Sequence, residues 1–306
     1  TGSGYSSHSM NRILILAIVI LVSAGSVLSQ DPAEGLNKRN LQGADLTLMT
    51  NHDPEVERAN FELMPGYEVN LFASEPMFAN PIHMVWDSAG RLWVACSWAY
   101  PQLKPGQKAN DKIIILEDTD QDGKADKSTV FAEGLYLPTG IELANGGCYV
   151  AQSPDVFFFK DTDGDDVADV KKVALTGFGI EDSHHSISAW RRGPGGWIYF
   201  QEGIFLHTQV ETQYGVVRNF NGGVYQYNPR TQQLKMFCRG TGGNPWGHVF
   251  DRWGQSFMVN NPRIMYLSPI SGNSGQSVRL TPLISTEKQC GGDLATGTHL
   301  PPDIRG

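Results

Sequence analysis

The sequence has no run of basic residues. Lys and Arg number 24 against 32 Asp and Glu, a net charge of -8, so nothing in it could neutralise a row of phosphates, and nucleic-acid binding is excluded. Cysteine is scarce: Cys96, Cys148, Cys238 and Cys290, none spaced as C-x-x-C or C-x-x-C-H, which removes a zinc knuckle and a c-type haem from these residues. Long apolar runs are missing beyond the first thirty residues, and the 34 Gly and 17 Pro follow no G-x-y period. A collagen-like chain and a long-helix protein are both excluded. What remains is 306 residues, 40% hydrophobic and 18% charged, a composition that suits many short strands joined by tight turns.

The one long apolar run opens the chain. Met10-Asn11-Arg12 precedes Ile13 to Val22, and small residues lead to Ser29-Gln30, the pattern of a removed signal peptide over 10–29 with an upstream remnant at 1–9. The run is shorter than the ~20 residues that cross a bilayer. The chain is therefore expected to be exported, periplasmic or at the cell surface, with membrane association open. Its cysteines then admit three pairings, or stand as buried free thiols. Residues 30–60 are polar and without a clear period, and read as an N-terminal arm. A domain is expected over 61–306.

That domain repeats. Four segments share an apolar strand, a Gly turn and an aromatic three residues after the Gly: Pro81 to Gly90 with Trp93, Pro138 to Gly146 with Tyr149, His185 to Gly196 with Tyr199, and Pro245 to Gly254 with Phe257. A fifth begins at Asp303-Ile-Arg-Gly306. The turn glycines, at 90, 146, 196, 254 and 306, step by 56, 50, 58 and 52 residues, the length of a four-stranded blade with its loops. A second pair of apolar strands follows each hairpin, as at Ile113–Leu116 with Val130–Phe131. The expected fold is an all-β propeller with about five blades present, a truncated six-bladed ring. A β-sandwich is the runner-up, but gives no reason for the interval.

Two acidic loops interrupt the repeats. Asp118, Asp120, Asp122, Gly123 and Asp126 match positions 1, 3, 5, 6 and 9 of an EF-hand-type calcium loop, and Asp161, Asp163, Asp165 and Asp169 repeat the spacing 43 residues on. Position 12 is Thr129 or Lys172 rather than Glu, and the flanks are strands, so either a calcium-binding hairpin loop or an Asx-rich turn is expected. In an up-and-down blade the first and third connections leave at one end, so the Gly turns and both acidic loops belong to one rim. The second connections, including Ser97–Asn110 and Gln201–Gly223, and the links between blades fall at the other. That second rim carries Glu181, Asp182, His184 and His185, and Asn244, Trp246 and His248. His185 stands where Pro81, Pro138 and Pro245 open the other inner strands. A neutral imidazole there can accept a hydroxyl proton, with Asp182 or Glu181 to orient it. The bland reading is a histidine bonded to a backbone carbonyl.

The residues F-E-L-M-P-G-Y-E-V at 61–69, H-H-S-I-S-A-W at 184–190, G-G-W-I-Y-F-Q-E-G at 195–203 and N-P-W-G-H-V-F-D at 244–251, with the acidic hairpins, resemble the membrane-bound dehydrogenase domain of large exported bacterial proteins. That family is similar to the soluble quinoprotein glucose and sorbosone dehydrogenases, six-bladed propellers that use pyrroloquinoline quinone (PQQ). The resemblance implies a sugar or polyol substrate, His185 or His184 as general base with Asp182, a quinone held near Asn244, Trp246, His248 and Arg218, calcium, and a cytochrome c electron acceptor. The relatives carry an Arg before the Asn-Pro pair. Here that position is Gly243, leaving Arg218, Arg239 or Arg263 to substitute. Two alternatives stand beside a quinoprotein-like dehydrogenase: a calcium-dependent propeller hydrolase or lactonase drawing on Glu202, Asp182 and Asn244, and a noncatalytic glycan- or protein-binding propeller.

Overall fold

The computed structural model describes residues 52–63, 66–241, 243–260, 263–267 and 277–284. The expected signal peptide, Cys290 and the fifth repeat at Asp303 lie outside the described residues. The chain divides into two compact units, one of residues 1–74, 121–124 and 295–306, the other of residues 75–120 and 125–294. The first contains a short helix, α1 (Pro54–Ala59), in the stretch expected to be an irregular arm. Its cause is local: Asp53 caps the Glu55 N–H at 2.9 Å, and Pro54 opens the first turn with its φ already set for a helix.

The second unit is a β-propeller of four-stranded antiparallel blades, four of them described. Blade 1 is β1 (Pro81–Trp86), β2 (Leu92–Cys96), β3 (Asp111–Glu117) and β4 (Lys127–Leu135); blade 2 is β5 (Gly140–Ala144), β6 (Gly147–Gln152), β7 (Asp155–Lys160) and β8 (Val170–Thr176). Blade 3 starts with β9 (Ser188–Arg192) and β10 (Ile198–Glu202), then inserts a separate hairpin, β11 (His207–Thr212) and β12 (Gly215–Phe220), before β13 (Gly223–Asn228) and β14 (Gln233–Arg239) complete the sheet. Blade 4 is β15 (Pro245–Phe250), β16 (Ser256–Asn260), β17 (Arg263–Leu267) and β18 (Ser277–Ile284). The inner strands follow one another in space as in sequence: β1 packs on β5, β5 on β9 and β9 on β15.

The repeat signal has a backbone cause. Gly90, Gly146, Gly196 and Gly254 all adopt φ between +69° and +82°, the left-handed region that a Cβ disfavours, so each inner hairpin is closed by a residue glycine suits best. Apolar faces then meet between blades. Trp93, Ile113, Phe131 and Ile141 join blade 1 to blade 2; Tyr149, Trp190, Phe200 and Tyr225 join blade 2 to blade 3. Trp190 stacks on Phe200 at 4.3 Å and 8°, and the other edge of its indole meets Gly140 of β5. Cys96, Cys148 and Cys238 are buried as free thiols, and burial pushes the Cys96 thiol up to about 11, so it stays protonated and inert. Among the described residues no helix is long and apolar enough to cross a membrane.

A Cβ on Gly140 would lie 2.0 Å from Trp190 Cδ1, so the indole would have to leave its stack. Gly140→Ala is expected to destabilise the fold by about 1–3 kcal/mol. Denaturant unfolding followed by tryptophan fluorescence checks this, and an unchanged midpoint would refute it.

Candidate functional site

Contacts between loops establish the two rims. At the first, Arg91 of the β1–β2 turn reaches Asp166 of the β7–β8 loop at 2.7 Å and Asp87 of its own turn at 2.8 Å. First and third connections therefore meet there. At the second rim Tyr100, from the β2–β3 connection, shares a hydrogen bond between its hydroxyl and His184 Nδ1 on the link into blade 3. Even numbers of antiparallel strands put these two sets at opposite ends of the sheets.

His184 and His185 sit in a 3-10 turn, Ser183–His185, just before β9. Asp182 caps it, accepting the His184 N–H at 2.8 Å, and its carbonyl accepts the His185 N–H at 3.1 Å. The His185 carbonyl takes the Gly203 N–H at 2.9 Å, and its ring lies so close to Gly203 that a Cβ there would stand 2.6 Å from Cδ2. The ring is 9% exposed, with Phe205 packed 5.5 Å away. Its Nδ1 is 3.2 Å from Asp182 Oδ2, out of line for a formed hydrogen bond, and its Nε2 is 2.8 Å from the Asn244 side-chain oxygen. Asn244 is itself fixed, its N–H donating to Asn260 Oδ1 at 3.1 Å while Asn260 donates to the Thr241 carbonyl.

These neighbours set the tautomer. Asp182 is an acceptor only, and its negative charge beside Nδ1 favours the tautomer with the proton there even though no hydrogen bond is formed, which leaves the Nε2 lone pair toward Asn244. An amide presents either end by rotation, and the NH2 end suits that lone pair. His185 is thus poised as a proton acceptor whose resting partner is a displaceable amide.

The other residues singled out from sequence scatter. Glu181 pairs with His207 at 3.0 Å on the inserted hairpin. Arg218, on β12, donates through Nε to Gln209 at 2.8 Å, and Arg239 donates to the Arg218 carbonyl. Trp246 falls at the β-bulge between Pro245 and Gly247. His248 is buried against Ser256 at 2.6 Å, and burial, then Arg191, lowers it to about 3, so it is neutral at physiological pH. His83 is likewise lowered to about 4 by burial and then Arg191. Of the expected quinone contacts, Asn244 is the one that shares a hydrogen bond with His185 among the described residues. Among the described residues no Lys or Arg forms an ion pair or hydrogen bond with His185, Asp182 or Asn244. Arg263 lies in β17, but its side chain lies outside the described residues.

Glu202 does not converge with Asp182 either. It is fully buried, accepting from Thr208 Oγ1 at 2.7 Å and Asn219 Nδ2 at 2.6 Å, and so ties both strands of the inserted hairpin to β10. Asp111, which sequence reasoning passed over, plays the matching part in blade 1: fully buried, it accepts from Ser97 Oγ, the Ala99 N–H and the Leu137 N–H at 2.7–3.0 Å. Only a charged residue opening an apolar strand could have signalled it.

In each acidic loop positions 1, 3 and 9 gather: Asp118, Asp120 and Asp126, and Asp161, Asp163 and Asp169, each trio with one ligand oxygen per residue within 4.8 Å of the others. Position 5 takes a turn role, Asp122 accepting the Lys124 N–H and Asp165 the Val167 N–H, each at 2.8 Å. Asp166, where the first loop has Gly123, adopts φ 65°. The crowding is felt: the Asp165 charge first of all pushes the Asp163 carboxyl up. Asp161 also accepts three backbone N–H groups, so the loop is Asx-turned as well as acidic. Both trios are compatible with calcium.

The sequence profile of a family described as a domain of unknown function (DUF7133) matches residues 53–289. The chain belongs to this family. No curated protein matches this DUF7133 member. Among solved structures, it is similar to a chain of a nidogen–laminin complex (14% identity, 73% of this chain and 72% of that one, TM-score 0.49). It is also similar to regucalcin, a calcium-binding protein of Agrobacterium tumefaciens strain C58 (13% identity, 73% and 68%, TM-score 0.47), and to a gluconolactonase of Xanthomonas campestris (16%, 65% and 61%, TM-score 0.43). Such distant likenesses carry no activity over to the DUF7133 domain.

Burial raises the Glu202 carboxyl above its ordinary 4.5, so the stability it contributes is complete below that pH and is lost as pH rises through the raised value. Glu202→Gln keeps the hydrogen-bonding shape without the titration. Its melting temperature is expected to fall less than that of the parent between pH 4.5 and neutrality; parallel curves would contradict the assignment.

Proposed function

We propose that this DUF7133 domain is an exported enzyme that opens cyclic esters of sugar-derived hydroxy acids, with His185 as general base. The observation that carries it is the His185 ring fixed between Asp182 Oδ2 at 3.2 Å and the Asn244 amide at 2.8 Å, at the rim where second connections and blade links meet. A substrate or water displacing the Asn244 amide would meet the Nε2 lone pair. Water attacks the ester carbonyl, His185 takes its proton, the ring C–O bond breaks, and the proton passes to the departing alkoxide. Every proton in that sequence starts and ends on water, His185 or substrate. The N-terminal Met10-Asn11-Arg12 and apolar run support export.

A quinone-linked oxidation of a sugar or polyol is the second reading, favoured by the His185–Asn244 pair, and a cytochrome c would then take the electrons. The residues around His185 do not fit the cofactor: Arg218 and Arg239 are engaged on the inserted hairpin, and His248 is buried against Ser256. No step is derived through it.

Calcium belongs, in this reading, to the opposite rim, where Asp118, Asp120 and Asp126, and Asp161, Asp163 and Asp169, would hold it as a brace rather than a catalyst.

The test is proton release from D-glucono-1,5-lactone by the full chain. His185→Ala is expected to lower kcat by about 10²–10⁴-fold. No turnover above background, or an undiminished rate in the folded variant, sinks the proposal; dye reduction with an aldose after loading with PQQ and calcium transfers the case to the second reading. Separately, calcium at a hundred times its Kd should stabilise the fold by about 2.7 kcal/mol for each loop it occupies. Asp120→Asn together with Asp163→Asn should abolish that gain in a thermal-shift titration, and a parent protein indifferent to calcium would refute the brace.

A further inference from the structure

The short segment that leaves β10 for the inserted hairpin passes beside the proposed base. Gly203 donates its N–H to the His185 carbonyl at 2.9 Å, Ile204 to the Gly243 carbonyl at 3.4 Å, and Phe205 to the Asn221 side-chain oxygen at 3.0 Å. Leu206, next in line, is fully buried. The backbone is thus fixed at each step: to the link that carries His185, to the link that carries Asn244, and to the residue that follows β12.

Those bonds hold Phe205 at φ 76°, in the left-handed region, where a bulky side chain is unfavourable and Gly or Asn sits easily. Core packing does not account for the choice. The ring is 55% exposed, and it lies against the His185 imidazole with centroids 5.5 Å apart. A strained backbone that sets an aromatic ring in water beside a proton acceptor points to a contact completed by a ligand.

More apolar surface adjoins it. His207, two residues on, meets the Phe220 ring edge-on at 5.2 Å and pairs with Glu181 at 3.0 Å. Phe220 is 61% exposed, and Ile180, next to Glu181, is 67% exposed. Three segments, 179–181, 205–207 and 220–221, therefore bring large apolar side chains to the surroundings of His185. Among the described residues no Lys or Arg forms an ion pair or hydrogen bond with His185, Asp182 or Asn244, so nothing at the base calls for a charged substituent.

We propose that Phe205 is the specificity-determining residue of the His185 site, and that the cyclic ester opened there carries an apolar arm, acyl or alkyl, which lies on the Phe205 ring. This rests on the reading of His185 as the base of ester opening, and narrows its substrate. The ester ring meets the Nε2 lone pair and Asn244, while the arm leaves water for the phenyl ring and the apolar residues around it. That transfer selects the substrate.

The experiment compares δ-decalactone with δ-valerolactone on the full chain, followed by proton release. Both are six-membered ring esters without hydroxyl groups, and they differ by one pentyl arm. The decalactone is expected to have the higher kcat/KM by about tenfold or more, carried by KM. Their unreactive lactams, 6-pentyl-2-piperidone and 2-piperidone, should bind in the same order in calorimetric titration, where no base is needed. Phe205→Asn suits the left-handed backbone and is expected to fold, and it should bring both ratios close to one. Lactams of equal affinity for the parent, lactones of equal kcat/KM, or a preference undiminished in folded Phe205→Asn would each overturn the proposal. A uniform loss of rate on both lactones in that variant, with the ratio intact, would overturn it too, leaving Phe205 as a cover for the imidazole. Lactams that keep their order, and lose it in Phe205→Asn, while neither lactone is opened would uphold the arm contact and sink the base.

Discussion

Strand parity is the constraint on which everything else rests. Four antiparallel strands are an even number, so the chain leaves each blade on the rim where it entered, and the first and third turns point the other way. Loop chemistry is thereby sorted without long-range information. Acidic turns collect on one rim, where Arg91 ties the β1–β2 turn of one blade to the β7–β8 loop of the next. Blade links collect on the other, where Tyr100 meets His184 and Asn244 meets His185. The inner strands, held side by side from β1 to β15, keep the two rims apart.

How much of this could be read from residues alone follows from what each feature depends on. The blades were legible because their signal is local: a left-handed glycine must close each inner hairpin, and an aromatic three residues later must face the next blade. The histidine rim was legible because parity alone assigns it. The extra hairpin of blade 3 was not, since β11 alternates in burial but buries Thr208 and only one apolar residue, Val210, and β12 is largely exposed; nor was α1, which hangs on a single Asp-Pro cap. The roles of Asp111 and Glu202 were hidden because a buried carboxylate is recognised only by its donors, which come from residues 6 to 26 positions away. The cofactor contacts implied by family resemblance fared differently again. Resemblance carried Asn244 to His185 but left Arg218 on the hairpin, where sequence neighbours and not cofactor geometry decide its partner.

The two rims also divide the labour of charge. Near His185 a single aspartate meets a single imidazole, and an amide completes the ring of contacts, an arrangement suited to moving one proton. At the acidic rim carboxylates crowd until one of them is pushed upward, and cations from Arg91 and, in the reading advanced above, from solution hold them together. A charge that would disturb proton transfer is thus kept a blade length from it.

The placing of β11 and β12 has a further bearing. They enter between the second and third strands of blade 3 without altering the order of the sheet; Glu202, one residue past Gln201 and one before the Gly203 that His185 leans on, ties them to β10, while Gln209 donates to the Gly177 carbonyl and Val210 packs into the core of blades 2 and 3. A lobe joined in this manner can be exchanged for another of different reach while the scaffold beneath is left alone. Diversity among members of such a fold would then be written in the insertion that follows Phe205, the ring packed on His185, and not in the four-stranded sheets that carry it.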